Sequence, residues 1–197
     1  TYSNKKSMIK PLLTVGLLMF ALLSNAQQKE LPSDRDPQKN LAISPYANSR
    51  INPSKNMRIN PKHNWNINPA MNDGINPEKN KKINPKFNKD FSPLSNHSIN
   101  PMYTFSLHPL SNENWTGYYS FDKDNKLAGY MVVANQFVVL DFDEKGVWKG
   151  YLVKTSSNTY NYFNLQDEWT KTFYCEDSMV GFNQFDPSGE WTGNYSK

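Results

Sequence analysis

Residues 142–151 read FDEKGVWKGY, and this stretch contains the pattern on which the fold depends. An Asp follows an aromatic residue, a Gly stands three places later, and a Trp stands two places after the Gly. An Asp that opens a turn and a Gly that accepts a left-handed backbone are typical of a type I turn within a β-hairpin. The flanking residues are aromatic or β-branched, which favours strands. The stretch therefore predicts a hairpin.

The same pattern occurs four times in residues 115–197, at intervals of 21 or 22 residues, although the third copy is degenerate. The copies begin at Phe121, Phe142, Phe163 and Phe185. Because one copy predicts one hairpin, we expect about eight antiparallel strands. They should lie near residues 115–121, 127–134, 137–142, 147–154, 159–165, 168–175, 179–185 and 190–196. The predicted fold class is all-β, with an antiparallel meander that is either an open sheet or a small closed barrel.

In its length and in its Gly and aromatic positions, the unit F-D-x-x-G-x-W-x-G resembles MORN-type β-hairpin repeats. The resemblance covers residues 115–197. It implies a sheet that binds or scaffolds other molecules, and not a catalyst.

Aromatic residues are unusually frequent in residues 115–197, where 19 of the 83 are Phe, Trp or Tyr. Trp148 and Tyr151 lie three places apart on one predicted strand, so their side chains point to opposite faces. One interpretation is that one face is core and the other is merely amphipathic. The second interpretation is that the aromatic side chains form a platform that binds sugar rings or another protein chain. The ligand-binding candidates are Trp115, Trp148, Tyr151, Trp169 and Trp191.

Residues 43–114 consist of nine consecutive octapeptides with the consensus INPxxNxx. A Pro in the third place of every octad excludes a continuous α-helix, because Pro lacks an N–H and disfavours helical backbone before it. Asn before Pro favours a turn. Each octad is therefore predicted to be one turn and one short extended piece. The Asn in the sixth place is expected to bond backbone groups of the same or the next unit.

Two arrangements of the octads fit the sequence: a compact spiral with a ladder of Ile side chains, or an extended, turn-rich stalk. One large aliphatic residue per octad cannot offset the entropy of ordering unless units stack or a partner covers them. The sequence therefore favours the stalk. The residues expected to dock on a partner are Ile51, Ile59, Ile67, Ile75, Ile83, Asn56, Asn64, Asn72 and Asn80.

The N-terminal residues indicate export. Lys5 and Lys6 precede the uncharged residues 11–23, and a small residue, Ala26, follows. This order predicts a signal peptide over residues 1–26, and its apolar run is too short to span a bilayer. Residues 27–42 are then a linker, followed by the octads over 43–114 and the β domain over 115–197. The mature chain is expected to be secreted, periplasmic or at the cell surface, without a transmembrane segment.

Charge and cysteine content narrow the possible partners. The formal net charge of the whole chain is +4, of which residues 43–114 carry +5, residues 115–197 carry −4 and residues 1–42 carry the remaining +3. After removal of Lys5, Lys6 and Lys10 the net charge is +1, which does not indicate a nucleic-acid-binding protein. Cys175 is the only cysteine, so no internal disulfide forms, and we expect a buried, unreactive thiol.

The sequence contains no motif that indicates catalysis. It lacks a serine nucleophile elbow, a metal-binding His pair and a phosphate-binding loop, and most carboxylates of residues 115–197 lie in predicted turns. We therefore expect no catalytic residue, no metal and no cofactor, and a non-catalytic protein that binds a polysaccharide or an envelope protein. One alternative is that the octads dock along an envelope protein with the β domain as a cap. A minor alternative is a secreted hydrolase that uses carboxylates such as Asp141 and Asp177.

Overall fold

The strands of the C-terminal region close into a barrel. The structure, a computed structural model, describes residues 30–155 and 157–197. Within them the strands are β1 Gly117–Phe121, β2 Leu127–Val133, β3 Val138–Asp143, β4 Trp148–Lys154, β5 Thr159–Phe163, β6 Trp169–Glu176, β7 Phe182–Phe185 and β8 Trp191–Ser196. Each strand pairs antiparallel with the next, and β8 pairs with β1. The all-β prediction is confirmed, and the meander is a closed barrel.

Four hairpin turns at one end of the barrel follow the sequence motif. In the turn after β3, the Asp143 Oδ1 atom accepts hydrogen bonds from the N–H groups of Lys145 at 3.0 Å and Val147 at 2.8 Å. The third residue after each opening Asp or Asn has a positive φ, and these residues are Asn125, Gly146, Asp167 and Gly189. Gly, Asn and Asp tolerate this backbone region best. The turn chemistry expected from the sequence is therefore present.

The Phe and Trp of the motif lie opposite each other in three of the four hairpins, and in the first hairpin Leu127 takes the place of Trp. Phe142 pairs with Trp148 in the β3–β4 ladder, and a register shift lies next to this pair. The same arrangement occurs for Phe163 with Trp169 and for Phe185 with Trp191. Such a bulge places one extra residue on one strand and increases the local twist. Its repetition in the hairpins bends the sheet toward closure.

The two faces of the barrel wall bury different sets of side chains. One cluster consists of side chains from seven strands. Because these side chains pack on one another, they lie inside the barrel, in its lumen. Its members are Tyr118, Met131, Val133, Val139, Leu152, Tyr160, Tyr162, Tyr174 and Phe182. The alternate residues of the same strands, for example Leu140 and Phe142 of β3, point outward. They too are almost fully buried, which means that something covers the outside of the barrel.

The octads are folded as a series of tight turns. Each octad has a turn at its third to fifth residues, and most also have a short 3₁₀ helix that runs from the seventh residue to the first residue of the next octad. The 3₁₀ helices of the described residues are Ser33–Arg35, Leu41–Ile43, Met57–Ile59, Trp65–Ile67, Lys81–Ile83, Lys89–Phe91, His97–Ile99 and Phe105–Leu107. The expected extended piece is thus a second turn.

Asn side chains tie each octad to the one before it. In the sixth place, the Asn56 Nδ2 atom donates to the carbonyl of Arg50 at 2.6 Å, and its Oδ1 atom accepts from the N–H of Arg58 at 3.1 Å. In the second place, the Asn60 Nδ2 atom donates to the carbonyl of Pro53 at 3.0 Å. These bonds satisfy the backbone without a β-ladder, so a Pro in every octad costs no ladder bond.

The array begins at residue 35, one unit before the first octad that the INPxxNxx consensus predicts. Residues 35–42 read RDPQKNLA, and Asp36 accepts a hydrogen bond from the N–H of Gln38 at 2.9 Å, as the second-place Asn does elsewhere. Asn40 donates to the carbonyl of Asp34 at 2.9 Å, as the sixth-place Asn does. Arg35 replaces the consensus Ile and Asp36 replaces Asn, which concealed the unit in the sequence. Most of the predicted linker is therefore part of the array.

The array is packed on the outside of the barrel, so the predicted extended stalk is wrong. The first three residues of the octads face the barrel, and every third-place Pro is buried. Ile99 belongs to the cluster that contains Leu140 and Tyr151, while Ile67 packs with Phe173. The barrel supplies the wall that one Ile per octad needs in order to be buried. Residues Ser33–Lys197 accordingly form one compact unit.

Polar side chains that point outward from the barrel fix the position of the array. The Asn183 Nδ2 atom donates to the carbonyl of Ile51 at 3.1 Å, and the Asn161 Nδ2 atom donates to the carbonyl of Ile75 at 2.8 Å. Near β5, the Thr159 hydroxyl donates to the carbonyl of Ile67 at 3.0 Å. The barrel thus binds the first-place carbonyls of several octads in the same way.

The predicted signal peptide, residues 1–26, lies outside the described residues. Within residues 30–155 and 157–197, no helix has both the length and the apolar character needed to cross a membrane.

Candidate functional site

The barrel lumen contains a pocket in the half that lies nearest the four hairpin turns. Its volume is about 280 Å³. Its lining residues come from all eight strands or their adjoining turns, and most of them are polar. They are Ser120, Phe121, Ala128, Met131, Asp141, Phe142, Asp143, Lys149, Tyr162, Tyr174, Gln184, Asn194, Tyr195 and Ser196. A concave site with a few convergent polar groups is the usual form of a small-molecule site.

Two acidic residues line this pocket, Asp141 and Asp143, and Asp141 lies deeper in the lumen because Asp143 closes the β3–β4 turn. Asp141 lies on β3, where it alternates with the outward residues Leu140 and Phe142, so its carboxyl group points into the lumen. The Tyr162 hydroxyl donates to its Oδ2 atom at 2.9 Å. No residue in the described part of the chain donates a hydrogen bond to the Oδ1 atom, which leaves that oxygen available as an acceptor.

Neutral polar groups line the pocket opposite β3. The Gln184 Nε2 atom donates to the Tyr174 hydroxyl oxygen at 2.5 Å, and the Gln184 Oε1 atom accepts from the Asn194 Nδ2 atom at 2.8 Å. The ring of Tyr174 lies 6.1 Å from the ring of Tyr162, between centroids. The pocket therefore offers hydroxyl and amide groups together with two aromatic rings.

Burial changes the protonation of the pocket. Desolvation raises the pKa of Asp141 from 3.8 to about 7, although the hydrogen bond from Tyr162 opposes the shift. Desolvation also raises the pKa of Tyr162 and of Tyr174, and the neighbouring Asp141 adds to both shifts. Both phenols are neutral at physiological pH, while the Asp141 carboxyl group keeps its proton to a higher pH than an exposed Asp does. A perturbed carboxyl in a pocket marks a candidate functional group.

The opposite end of the lumen is occupied by an ion pair. The Lys154 Nζ atom lies 3.3 Å from the Glu176 Oε1 atom, which also accepts a hydrogen bond from the Tyr160 hydroxyl at 3.0 Å. Asp177, which follows β6 at this end, forms a buried ion pair with Lys197. Asp141 lies toward the hairpin turns instead. The structure therefore does not bring Asp141 and Asp177 together as a catalytic pair.

The ligand-binding candidates from the sequence lie on the outer wall, and none of them lines the pocket. The expectation that Trp148 and Tyr151 point to opposite faces is wrong, because the β-bulge between these residues on β4 places both on the outer wall. Tyr151 is fully buried and donates to the Asp167 Oδ1 atom at 2.5 Å. Trp148 is half-buried, and its Nε1 atom donates to the carbonyl of Gly150 at 2.8 Å. Trp191 is half-buried, and its ring lies 5.0 Å from the ring of Tyr46 in the first octad.

The two remaining ligand-binding candidates, Trp115 and Trp169, also pack against residues of the outer wall. Trp115 is half-buried and makes edge contacts with Tyr119 at 5.3 Å and Tyr130 at 5.7 Å, between ring centroids. Trp169 packs against the outer cluster, and its buried Nε1 atom has no hydrogen-bond partner among the described residues. Four of the five rings are thus half-buried and Tyr151 is fully buried, and a role for them as a platform for sugar rings or another chain stays a prediction.

The expected docking residues of the octads are used within the chain. Ile51, Ile59, Ile67 and Ile75 are at most 8% exposed and face the barrel, whereas Ile83 is half-buried. Asn56, Asn64, Asn72 and Asn80 donate to carbonyls of the preceding octad, at 2.6, 2.8, 2.9 and 2.6 Å. The partner on which the Ile residues dock is therefore the barrel of the same chain, and the Asn residues stabilise the array itself.

The sequence of β3 contains a signal for the pocket. Strand β3 reads VVLDFD, with Asp141 and Asp143 alternating with the apolar residues Leu140 and Phe142. Carboxylates on one face of a strand whose other face is buried indicate a polar lumen or a solvent face. The expectation that most carboxylates lie in turns holds for Asp143, whose Oδ1 atom closes the β3–β4 turn, whereas Asp141 lies inside β3.

In the part of the chain that the structure describes, no cluster of three or more His, Cys, Asp or Glu side chains is arranged to hold a metal ion. Cys175 is buried as expected, and desolvation raises the pKa of its thiol. Comparisons with protein-family models, curated proteins and solved structures gave no match. The resemblance to MORN-type repeats thus remains a prediction from the motif alone.

Proposed function

We propose that the protein is an exported, non-catalytic binding protein of the cell envelope or extracellular space, and that its lumen pocket binds the end of a carbohydrate chain. The observation that carries this proposal is the Asp141 carboxyl group, which has one unoccupied oxygen beside the phenols of Tyr162 and Tyr174. The export part of the proposal is supported by the signal-peptide pattern of residues 1–26.

The chemistry of the pocket suits a sugar. A sugar ring presents several hydroxyl groups and an apolar face, so it needs both acceptors and aromatic surface. Asp141 supplies a strong acceptor, Gln184 and Asn194 supply amides, and the phenol rings supply surface. A ligand hydroxyl that donates to an ionised carboxylate forms a stronger bond than one that donates to a neutral group.

The size of the pocket limits the ligand. Pockets that enclose drug-sized molecules have volumes of about 300–1,000 Å³. The volume of about 280 Å³ lies at the lower limit of that range. It therefore suits one or two terminal sugar rings, and not a long segment of a polysaccharide.

Binding is favoured over hydrolysis because the pocket lacks a second free carboxylate in a suitable place. Hydrolysis of a glycosidic bond normally uses two carboxyl groups that flank the bond. Asp143 lines the pocket, but its Oδ1 atom accepts two backbone hydrogen bonds that close the β3–β4 turn. Asp177 is paired with Lys197. Asp141 alone is sufficient to bind a sugar hydroxyl.

The test is to measure binding of the mature chain, residues 27–197, to a panel of mono- and oligosaccharides by calorimetry. Asp141→Asn and Tyr174→Phe keep the shape of the pocket. Asp141→Asn should lower the affinity of a retained sugar about tenfold or more, because hydrogen bonds to charged groups contribute about 1.5–3 kcal/mol. Tyr174→Phe should lower it about two- to tenfold, because a neutral hydrogen bond contributes about 0.5–1.5 kcal/mol. Affinity should also rise with pH through about pH 7, as Asp141 ionises.

Asp124→Asn is the matched control, because Asp124 is an exposed turn carboxylate outside the pocket. It should leave affinity unchanged. Equal affinity of the Asp141 variant and the unmodified chain, or no sugar retained at all, would refute the lumen site. Cleavage of a retained sugar that is lost in Asp141→Asn would identify a hydrolase instead.

A second candidate function, docking of the array along an envelope protein, is supported by the outer edge of the octads. Almost every octad exposes at least one large apolar side chain in its fourth, fifth or seventh place. Met57, Trp65, Phe87 and Phe105 are 60–67% exposed. These residues, and not the buried Ile ladder, would contact the partner. Substituting Met57 and Trp65 by Ser should abolish capture of such a protein and leave sugar binding unchanged.

A further inference from the structure

A second concave site lies outside the barrel, between the array and the barrel loops. It has a volume of about 990 Å³. One wall is formed by the 3₁₀ helices Lys81–Ile83 and Lys89–Phe91, and the other wall is formed by Phe137 after β2 and Thr155 after β4. We call this site the basic groove. It shares no lining residue with the lumen pocket.

The groove exists because the octad of residues 83–90 contacts the barrel less closely than the octad before it. Ile75 begins the octad of residues 75–82 and is 0% exposed, whereas Ile83 begins the next octad and is only half-buried. Ile83 lines the groove. The ring of Phe137 fills part of the gap and lies 5.3 Å from the ring of Phe91, between centroids.

The groove is positively charged. Lys81, Lys82 and Lys89 line it, and none of the ion pairs within the described residues includes any of the three. Lys154 also lines it, but that side chain is paired with Glu176. The only acidic lining residue is Asp90. The unpaired charges therefore favour an anionic ligand.

Aromatic rings lie among these lysines. Phe87 is 60% exposed, and the Lys81 Nζ atom lies 4.9 Å from the centroid of its ring. Phe137 is 41% exposed. A ring beside an ammonium group allows a ligand to stack an apolar face while a neighbouring anionic group binds the lysine. Lys81 and Lys89 both occupy the seventh place of their octads, so the charges repeat along the groove.

We propose that the basic groove binds an anionic oligosaccharide, in which carboxylate or sulfate groups contact Lys81, Lys82 and Lys89 and a sugar face stacks on Phe87. A sugar chain fits the site because it carries anionic groups and an apolar ring face together, as the adjacent Lys81 ammonium and Phe87 ring require. The proposal for the groove does not depend on the lumen pocket, so an experiment can refute one of the two sites and leave the other unaffected.

The test measures binding of the mature chain to defined oligomers at low and physiological salt. The probes are alginate oligomers, which carry carboxylates, heparin oligomers, which carry sulfates, and neutral cello-oligomers. We expect alginate or heparin to bind, with affinity that falls as salt is raised, because ion pairing is screened. The oligomer that binds with the higher affinity identifies whether the groove prefers carboxylate or sulfate groups. Binding of the neutral oligomer with equal affinity would overturn the proposal.

Variants locate the site. Lys81→Gln with Lys89→Gln should weaken binding about tenfold or more, since each removes a charged hydrogen-bond donor. The control, Lys55→Gln with Lys79→Gln, removes the same charge from exposed fifth places outside the groove and should change affinity less than about twofold. Phe87→Ser should weaken binding, whereas Phe105→Ser, which removes an equally exposed ring elsewhere, should not.

Anionic molecules other than sugars test whether the groove prefers a sugar chain. Poly-glutamate peptide, oligothymidylate and vesicles that contain phosphatidylglycerol are measured under the same conditions. Tighter binding of any of these than of both sugar polymers would overturn the choice of a sugar. Equal affinity of the lysine double variant and its control would overturn the groove itself. All variants lie at exposed positions, and an unchanged circular dichroism spectrum shows that the fold is retained.

Discussion

The hydroxyl of Ser92 donates a hydrogen bond to the Oδ2 atom of Asp167 at 2.7 Å, and both residues are buried. Ser92 is the second residue of an octad, and Asp167 is the left-handed residue of the β5–β6 turn. The other carboxylate oxygen accepts from the Tyr151 hydroxyl at 2.5 Å. One turn residue thus connects the array to the barrel wall.

Replacing Asp167 by Gly tests this connection without introducing backbone strain. Gly occupies the equivalent place in two other turns, at Gly146 and Gly189, so the backbone accepts it. The substitution leaves the buried hydroxyls of Ser92 and Tyr151 without their acceptor, and we expect the free energy of unfolding to fall by about 2–4 kcal/mol. Chemical denaturation measures it. Asp167→Asn keeps an acceptor and should cost less; equal stability of all three proteins would contradict the role of Asp167.

The side chain of Asn161 should hold the fifth octad on the barrel. It donates to the carbonyl of Ile75 at 2.8 Å, but its own buried Oδ1 atom has no partner among the described residues. Asn161→Ala removes the bond and the unpaired oxygen together, so we expect a loss of only about 1–2 kcal/mol in unfolding free energy. Hydrogen exchange should quicken at the amides near Ile75. Asn66→Ala, an exposed array position, is the control, and equal exchange in both variants would argue against the anchor.

The barrel should not fold in soluble form without the array. Leu140, Phe142 and Tyr151 are at most 1% exposed in the whole chain, yet they belong to the outer wall. A fragment of residues 115–197 would expose this surface, and contiguous apolar patches of this kind promote association. We expect the fragment to aggregate or to bind a hydrophobic dye, while residues 27–197 remain monomeric in size-exclusion chromatography. A monomeric, folded fragment with a dispersed NMR spectrum would contradict this prediction.

Asp141 should make stability fall as the pH rises from about 4 to about 7. In the unfolded chain its carboxyl ionises above its ordinary pKa of 3.8, whereas the folded chain keeps the proton up to about pH 7. The folded state therefore binds more protons in this range, and stability falls with pH and then stays level. At about 1.4 kcal/mol per pH unit, the loss is at most about 4 kcal/mol.

Asp141→Asn removes this dependence. The variant should be more stable than the unmodified chain at pH 8 and gain nothing at pH 4, when denaturation is measured at both values. Taking the difference between the two proteins cancels the contributions of the other titrating groups. Asp124→Asn, at an exposed turn position, should show no such difference. A stability gain that is the same at both pH values would mean that Asp141 is ionised in the folded chain.

Local rules made the hairpins and the octad turns predictable. Asp143 and Gly146 specify a turn through short-range hydrogen bonding and one backbone conformation, so their sequence is sufficient. The same holds for the Pro of each octad and for the Asn that precedes it in six of the nine octads of residues 43–114. The unit over residues 35–42 was missed because Arg35 and Asp36 depart from the consensus, although Pro37 and Asn40 keep it.

The sequence by itself therefore determined the strands, the turns and the repeat. Only the tertiary structure decided which strand face is the lumen, because both faces carry aromatic residues and alternation does not distinguish inside from outside. It also decided that the octads cover the barrel, since one Ile per unit is buried only when a distant part of the chain supplies the other wall. Asp141 became a pocket residue for the same reason: barrel closure through β1 and β8 placed its carboxyl in the lumen.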